Sequence, residues 1–321
     1  MECVLVLVYT VDMKLSQLRA LIAIADSGSF SEAALELGMS QSSISEALSA
    51  LETHLQSSLV ERGRFGARLT PLGEQVVIHA RSALAAIDSI EQEVSFSRGS
   101  IQGILKISTF RSIASQLIPP VMAQLKQQHP KLQLELLECI ICEKEDLLRP
   151  IYDGTADLAF LPHCESSEFM SWEIMEDPYM VLVPDALVQG DRIHPADLLN
   201  QPLIVSKGGD CTNRIMQYLS DHQIAPTEVI KVHDDFTMYN MVAQNLGMCL
   251  SPRLAIDYVP RGATMLPLAS PLHRYINLAV RQGGLRTPAV RHFIRELKNL
   301  LPDSKLPHLD LVPELPRETQ F

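Results

Sequence analysis

Apolar residues recur at steps of three and four along the first third of the chain. Farther on they gather into short runs separated by stretches of helical period. Leu15, Leu18, Leu21, Ile22 and Ala25 share one face of a helix that ends at Gly28. Phe30, Ala33, Ala34 and Leu37 mark a second, shorter helix, and Ile44, Leu48 and Leu51 a third. Almost no loop separates the last two. Gly38 accepts the positive φ with which a chain leaves a helix, Met39 offers an apolar plug for the turn, and Ser40 is placed to cap the next helix. Ala34 is small where two helices must cross closely. From about Gly73 to Arg98, the residues Val76, Val77, Ala80, Ala83, Leu84, Ile87, Ile90 and Val94 trace a narrow stripe. Such a stripe suits a partner helix, although it also serves a helix lying on its own domain.

Ser97 to Gly103 (SRGSIQG) is the best hinge in the chain. Beyond it ILKIST (104–109) predicts a strand, IASQLIPPVMAQLKQQHP (113–130) a helix, LQLELLE (132–138) a strand, and LLRPIYDGTADLAFLP (147–162) a helix and then a strand. YMVLVP, PLIVS and EVIKVHD follow, then a helix from about Thr237 to Asn245, then GMCLSP and INLAVR, and a last helix from Pro288 to Leu300. Strands alternating with helices predict a parallel sheet, with enough elements for two lobes.

Composition supports this division. The chain has 321 residues, 46% of them hydrophobic, which suits two or three domains with real cores. No stretch is long enough to cross a membrane. MECVLVLVYTV lacks both the basic start and the small-residue cleavage site of a signal peptide, and Met13 is an expected alternative start. Six cysteines without an export signal are expected to be reduced thiols of the cytoplasm. From Pro302 onward, prolines and charges without a sustained apolar period predict a loosely held tail.

The tight helix pair is the pattern of a helix-turn-helix, which reads the major groove of DNA with the N-terminal end of its second helix. An ordinary helical hairpin fits the pair alone, and the flanks separate the two. Upstream lies a third helix; downstream, ERGRFGARLTPLG places Arg62, Arg64 and Arg68 among glycines as a basic wing, with Leu69 and Pro71 marking a short extended turn before the next helix. With those flanks, QLRALIAIADSGSFSEAALELGMSQSSISEALSALE followed by RLTPLGE resembles the N-terminal domain of LysR-type transcriptional regulators, from about Lys14 to Gly73. Looser landmarks continue in GILKIS, PKLQLEL, GTADLA and LGMCLSP. The resemblance implies a winged helix-turn-helix (14–73), a dimerising linker helix (74–98) and an effector domain (99–301) of two Rossmann-like α/β lobes, like the type 2 periplasmic binding proteins, before the tail (302–321). It also implies a homotetramer built from dimers, double-stranded DNA and a small effector as partners, no cofactor, and no enzyme activity.

Net charge is −11, an unpromising balance for a nucleic-acid protein, whose affinity rests on lysine and arginine neutralising phosphates. The wing concentrates positive charge. The residues expected at DNA are Ser31, Ser40, Gln41, Ser42, Ser43, Ser45, Glu46, Arg62, Arg64 and Arg68. Glu46 departs from the basic or amide side chain more usual in the family; it either accepts from a cytosine amino group or is a solvated outward residue.

For the effector, open sheets present pockets at the carboxyl ends of strands. That places Thr109, Arg111, Ser112, His163, Ser206, Asp235 and Thr237 on the expected rim. Arg111 suits a carboxylate or phosphate on the effector, or else a surface ion pair, and Ser112 can instead cap a helix. Cys139, Cys142, His163 and Cys164 follow two strands of one sheet and form an alternative zinc or thiol sensor. A two-lobed solute binder for transport is the other alternative. An enzyme is disfavoured, because the chain carries no phosphate-binding glycine loop, no G-x-S-x-G elbow and no HExxH.

Overall fold

The computed structural model describes residues 13–63, 66–139, 144–162, 169–199, 201–281 and 283–307. It divides into two compact units, Met1–Ile90 and Glu91–Phe321. In the first, α1 (Leu15–Ser27), α2 (Phe30–Glu36) and α3 (Gln41–Leu55) pack around Leu21, Ile24, Ala33, Ile44, Leu48 and Leu51, the faces that the periodicity predicts. Met39 departs from expectation. It is 41% exposed, because the turn is closed by the backbone instead, Met39 N donating to Ala34 O at 2.9 Å and Gly38 N to Leu35 O at 3.2 Å.

The wing is an antiparallel pair, β1 (Val60–Gly63) and β2 (Gly66–Leu69). It is pinned to the helices at both ends. The Glu52 carboxylate accepts from Leu59 N and Val60 N at 2.7 and 3.1 Å, and Ala67 N donates to Gly28 O at 2.8 Å. This approach requires glycine at Gly66, where a Cβ would lie 2.5 Å from Gly28 O. Then α4 (Pro71–Ser97) begins earlier than expected: Pro71 opens the helix instead of marking a turn before it, since the first helical position has no use for an N–H. Thr70 Oγ1 accepts from Gly73 N at 2.9 Å in the cap. The stripe on α4 divides: Val77 and Ala80 are buried in the first unit's core, whereas Ile90 and Val94 stay 64% and 47% exposed.

The second unit holds two lobes. In the first, β3 (Gly103–Phe110) lies parallel to β4 (Leu132–Cys139) and β5 (Leu158–Pro162), with α5 (Arg111–Gln116), α6 (Ile118–Gln128) and α7 (Lys144–Tyr152) between them. A single strand of 16 residues, β6 (Phe169–Pro184), then carries the chain into the second lobe. There β7 (Pro202–Ser206), α8 (Asp210–Asp221), β8 (Glu228–Val232), α9 (Asp235–Ala243), β9 (Cys249–Pro252) and β10 (Ala263–Pro267) follow. The long β11 (His273–Arg281) returns to the first lobe, and α10 (Pro288–Leu300) packs there.

The expectation of a parallel sheet is therefore corrected. Among the described strands, β3 pairs in parallel with β4 and β5, and β7 with β8; β11 runs antiparallel to β5 and β6, and β9 and β10 run antiparallel to β6. The two crossings between lobes reverse the chain against each parallel core. Residues 113–130 are likewise two helices, because Pro119 and Pro120 have no N–H to continue a helix and instead start a new one. The expected strand EVIKVHD is shorter, since Asp234 caps α9. The start of the expected tail is held in place: Leu306 is 3% exposed in the first lobe's core, and Lys305 N donates to Glu173 O at 3.0 Å. Residues 308–321 lie outside the described residues. Among the described residues no helix is long and apolar enough to cross a membrane.

Candidate nucleic-acid interface and ligand cleft

The N-terminal edge of α3 is polar because its apolar positions are all used inward. Ser40 Oγ accepts from Ser43 N at 3.1 Å and lies 2.8 Å from both Ser42 Oγ and Ser43 Oγ, a hydroxyl cluster at the capped N-terminus of the helix. Gln41, Ser42 and Glu46 are exposed, Ser43 and Ser45 half-buried. The wing reaches this edge: Arg62 Nη2 donates to Ser45 Oγ at 2.7 Å, and its guanidinium carbon sits 4.5 Å from the Phe30 ring centroid. Ser31 at the start of α2, with Gln41, Ser42, Ser45 and Arg62, lines one shallow recess of about 500 Å³. Arg68 is exposed across β1 from Glu61, and Arg64 lies outside the described residues. The edge thus offers hydroxyls, an amide and one oriented guanidinium, the donors that phosphates and base edges accept.

In the second unit a cleft of about 320 Å³ lies between the lobes. Arg111, Ser112, Ser206 and Asp235 line it, as expected from the strand ends. Thr109 is fully buried behind it, Thr237 Oγ1 bonds the Asp234 carboxylate outside its lining, and His163 lies outside the described residues. Arg111 reaches from the first lobe to the Asp235 carboxylate, to Asp257 at 3.3 Å and to Ala255 O at 2.8 Å. Burial is the largest single influence and would lower its pKa, but Asp235, Tyr239 and Asp257 together outweigh it and raise it. Arg274 lies deeper, 7% exposed. Its Nε and Nη2 meet Asp177 Oδ2 at 2.8 and 2.7 Å, Nη2 donates to Ser112 Oγ at 2.8 Å, and Nη1 reaches Cys211 Sγ at 3.5 Å. Of the proposed thiol set, Cys139 lines the cleft, while Cys142, His163 and Cys164 lie outside the described residues. Among the described residues no three His, Cys, Asp or Glu are grouped to hold a metal.

Two family models match: the bacterial regulatory helix-turn-helix of the lysR family over residues 15–74, and the LysR substrate binding domain over residues 98–302. The chain belongs to the LysR family. It is similar to the probable HTH-type transcriptional regulator LrrA of Synechococcus elongatus, 36% identical over 292 residues that cover 91% of this chain and 98% of LrrA. It is 29% identical to the uncharacterized HTH-type regulator YvbU of Bacillus subtilis, covering 90% and 99% of the two chains. Its fold matches a full-length OxyR variant from Pseudomonas aeruginosa with a TM-score of 0.72, at 22% identity and covering 92% and 99% of the two chains. The chain is thus a transcriptional regulator with a DNA-binding helix-turn-helix and an effector-binding domain.

Within this LysR protein, sequence reasoning missed Cys211 and Arg274 in the cleft lining, and Asp177 and Asp257, the carboxylates that engage Arg274 and Arg111. Their chain separations reach 97 residues for the Asp177–Arg274 pair, so no local spacing links them. One signal was available. Arg274 stands at an inward position of β11, two residues before the buried Ile276, and a charge on the buried alternation of a strand requires a partner.

Proposed function

We propose that the chain is a cytoplasmic regulator without enzyme activity, a homotetramer built from dimers. Its head (14–73) places Gln41, Ser42, Ser43, Ser45 and Glu46 against base edges and Arg62, Arg64 and Arg68 against phosphates. Residues 74–98 pair subunits, and residues 99–301 bind a small molecule. The observation that carries this reading is the polar edge of α3, with Arg62 fixed beside it at 2.7 Å from Ser45. The exposed Ile90 and Val94 on α4 support pairing through that helix. Closure of the lobes about the cleft, which Arg111 already spans, shifts subunit geometry as rigid bodies and so the spacing of the reading helices.

Selection of bound fragments from a genomic pool tests the DNA reading: enrichment of one short, two-fold-related motif is expected, and enrichment without any shared motif contradicts it. Solution scattering tests the assembly, with a tetramer expected and a lone subunit contradicting it.

A further inference from the structure

Two carboxylates lie on α3, and the fold uses only one of them. Glu52 ties the wing to the helices, accepting from Leu59 N and Val60 N. Glu46 is exposed on the edge that carries Ser42 and Ser45, since steps of three and four return to the same side of a helix. Among the described residues neither an ion pair nor a hydrogen bond engages its carboxylate. A cation is close by and turns elsewhere: Arg62, on the wing, donates to Ser45 Oγ at 2.7 Å, with its guanidinium carbon 4.5 Å from the Phe30 ring centroid.

An unpaired carboxylate on a surface that faces phosphates weakens attraction to every duplex, and the more so in a chain of net charge −11. Only a base that donates to it offsets that loss, because an ionised carboxylate accepts and cannot donate. In the major groove guanine shows the acceptors N7 and O6, and thymine the acceptor O4 beside a methyl group. Adenine sets its amino group next to the acceptor N7. Cytosine shows its N4 amino group with no acceptor beside it. The carboxylate is therefore drawn to cytosine and repelled, in differing degree, by the other three bases.

We propose that Glu46 selects a cytosine at one position in each half of the DNA site by accepting from the N4 amino group. The proposal rests on reading α3 as the helix that faces the bases, and it names the base that one residue of that helix takes. Gln41 and the serines both donate and accept, so their chemistry sets no such restriction.

Full-length wild type and Glu46→Gln are each used to select bound fragments from one random-sequence duplex pool. The wild-type motif should hold a cytosine in one column of each half. In the variant that column should relax or turn to adenine, whose N6 and N7 suit an amide, while the other columns stay as they are. A second probe leaves the protein untouched: N4-methylcytosine in that column keeps its pair with guanine but sets a methyl group where the groove-facing N–H was. On this duplex the wild type should lose roughly tenfold in affinity, and Glu46→Ala less than about twofold. Identical motifs from wild type and Glu46→Gln, a changed column whose wild-type base is not cytosine, or equal losses by wild type and Glu46→Ala on the methylated duplex overturn the assignment and leave the DNA reading standing. A pool from which the wild type enriches no shared motif overturns both.

Discussion

The head and the effector unit solve opposite problems. In the head most of the apolar core comes from three helices consecutive in the chain, and the polar residues at the N-terminal edge of α3 are left outside, where a partner reaches them. In the effector unit the polar residues are inside: Arg274 with Asp177 and Ser112, and Arg111 with Asp235 and Asp257, tie together segments from 97 to 162 residues apart. A surface that meets a large partner needs only a firm frame behind it. A cleft for a small molecule needs its charges held in place by other charges.

The sharpest way to break this contrast is Asp177→Ala, which leaves the Arg274 guanidinium buried without its carboxylate. It should destabilise the effector unit by about 3–5 kcal/mol, read as a fall in its unfolding midpoint. A loss under about 1 kcal/mol, the range of exposed pairs, would mean that the pair is not the clamp described here. Leu48→Ala probes the head in the same way. With Leu48 1% exposed between α1 and α3, denaturant unfolding should show about 2–5 kcal/mol lost from the head. A near-neutral result would place the head's stability elsewhere.

Acid should act on the effector unit through a buried histidine pair. His129 Nδ1 accepts from Ile101 N at 3.2 Å, and its Nε2 lies 3.1 Å from His292 Nδ1, which Arg295 also approaches at 3.0 Å; Phe96 of α4 packs edge-on at 5.0 Å. Burial and then Arg295 lower both pKa values, that of His292 to about 3, with Arg291 adding to the effect and Glu296 opposing it. The folded form keeps the His292 ring neutral, and disfavours the charged form of His129, while the unfolded chain takes up protons below pH ~6.5. Stability is therefore full above that pH and declines from there toward pH 3, by up to about 1.4 kcal/mol per pH unit for His292. Glu296, whose carboxyl is held below its usual range by hydrogen bonds from Gln128, Asn299 and Arg295 that outweigh its burial, adds to the loss in more acidic solution. The urea midpoint against pH reads this slope. His292→Phe should flatten it, and an unchanged slope would remove the pair from the account.

The smallest effects belong to the head's surface. Arg62→Ala should weaken binding to every duplex by about 1 kcal/mol and reduce the salt dependence by about one phosphate. Gln41→Ala should cost about as much on the preferred duplex and little on others. Equal losses for both variants on all sequences would erase the division between positioning and reading.

How far the chain was legible follows from the same contrast. Leu21, Ile44, Leu48 and Leu51 announce themselves because a helix repeats every few residues, and all four are 1% exposed or less. α10 begins at Pro288 and ends at Leu300, as its period predicts. Met39 misled because a backbone hydrogen bond closes the turn that an apolar side chain seemed to fill. α8 was missed because its polar composition hides its apolar face, and β10 because five residues next to a proline carry little pattern. Arg111 lines the cleft, but the carboxylates that engage it follow more than a hundred positions later, and only the folded sheet brings them together.

The central claim is that the N-terminal edge of α3 reads sequence in duplex DNA. Fluorescence anisotropy of the full chain on its selected duplex and on a scrambled one of equal length tests it directly, with the wild type beside a Gln41→Ala/Ser42→Ala double variant. The account predicts tight, salt-sensitive binding to the selected duplex and a gap between the duplexes that collapses in the variant. Equal affinity of the wild type for both duplexes, or no binding to either even at low ionic strength, would contradict it.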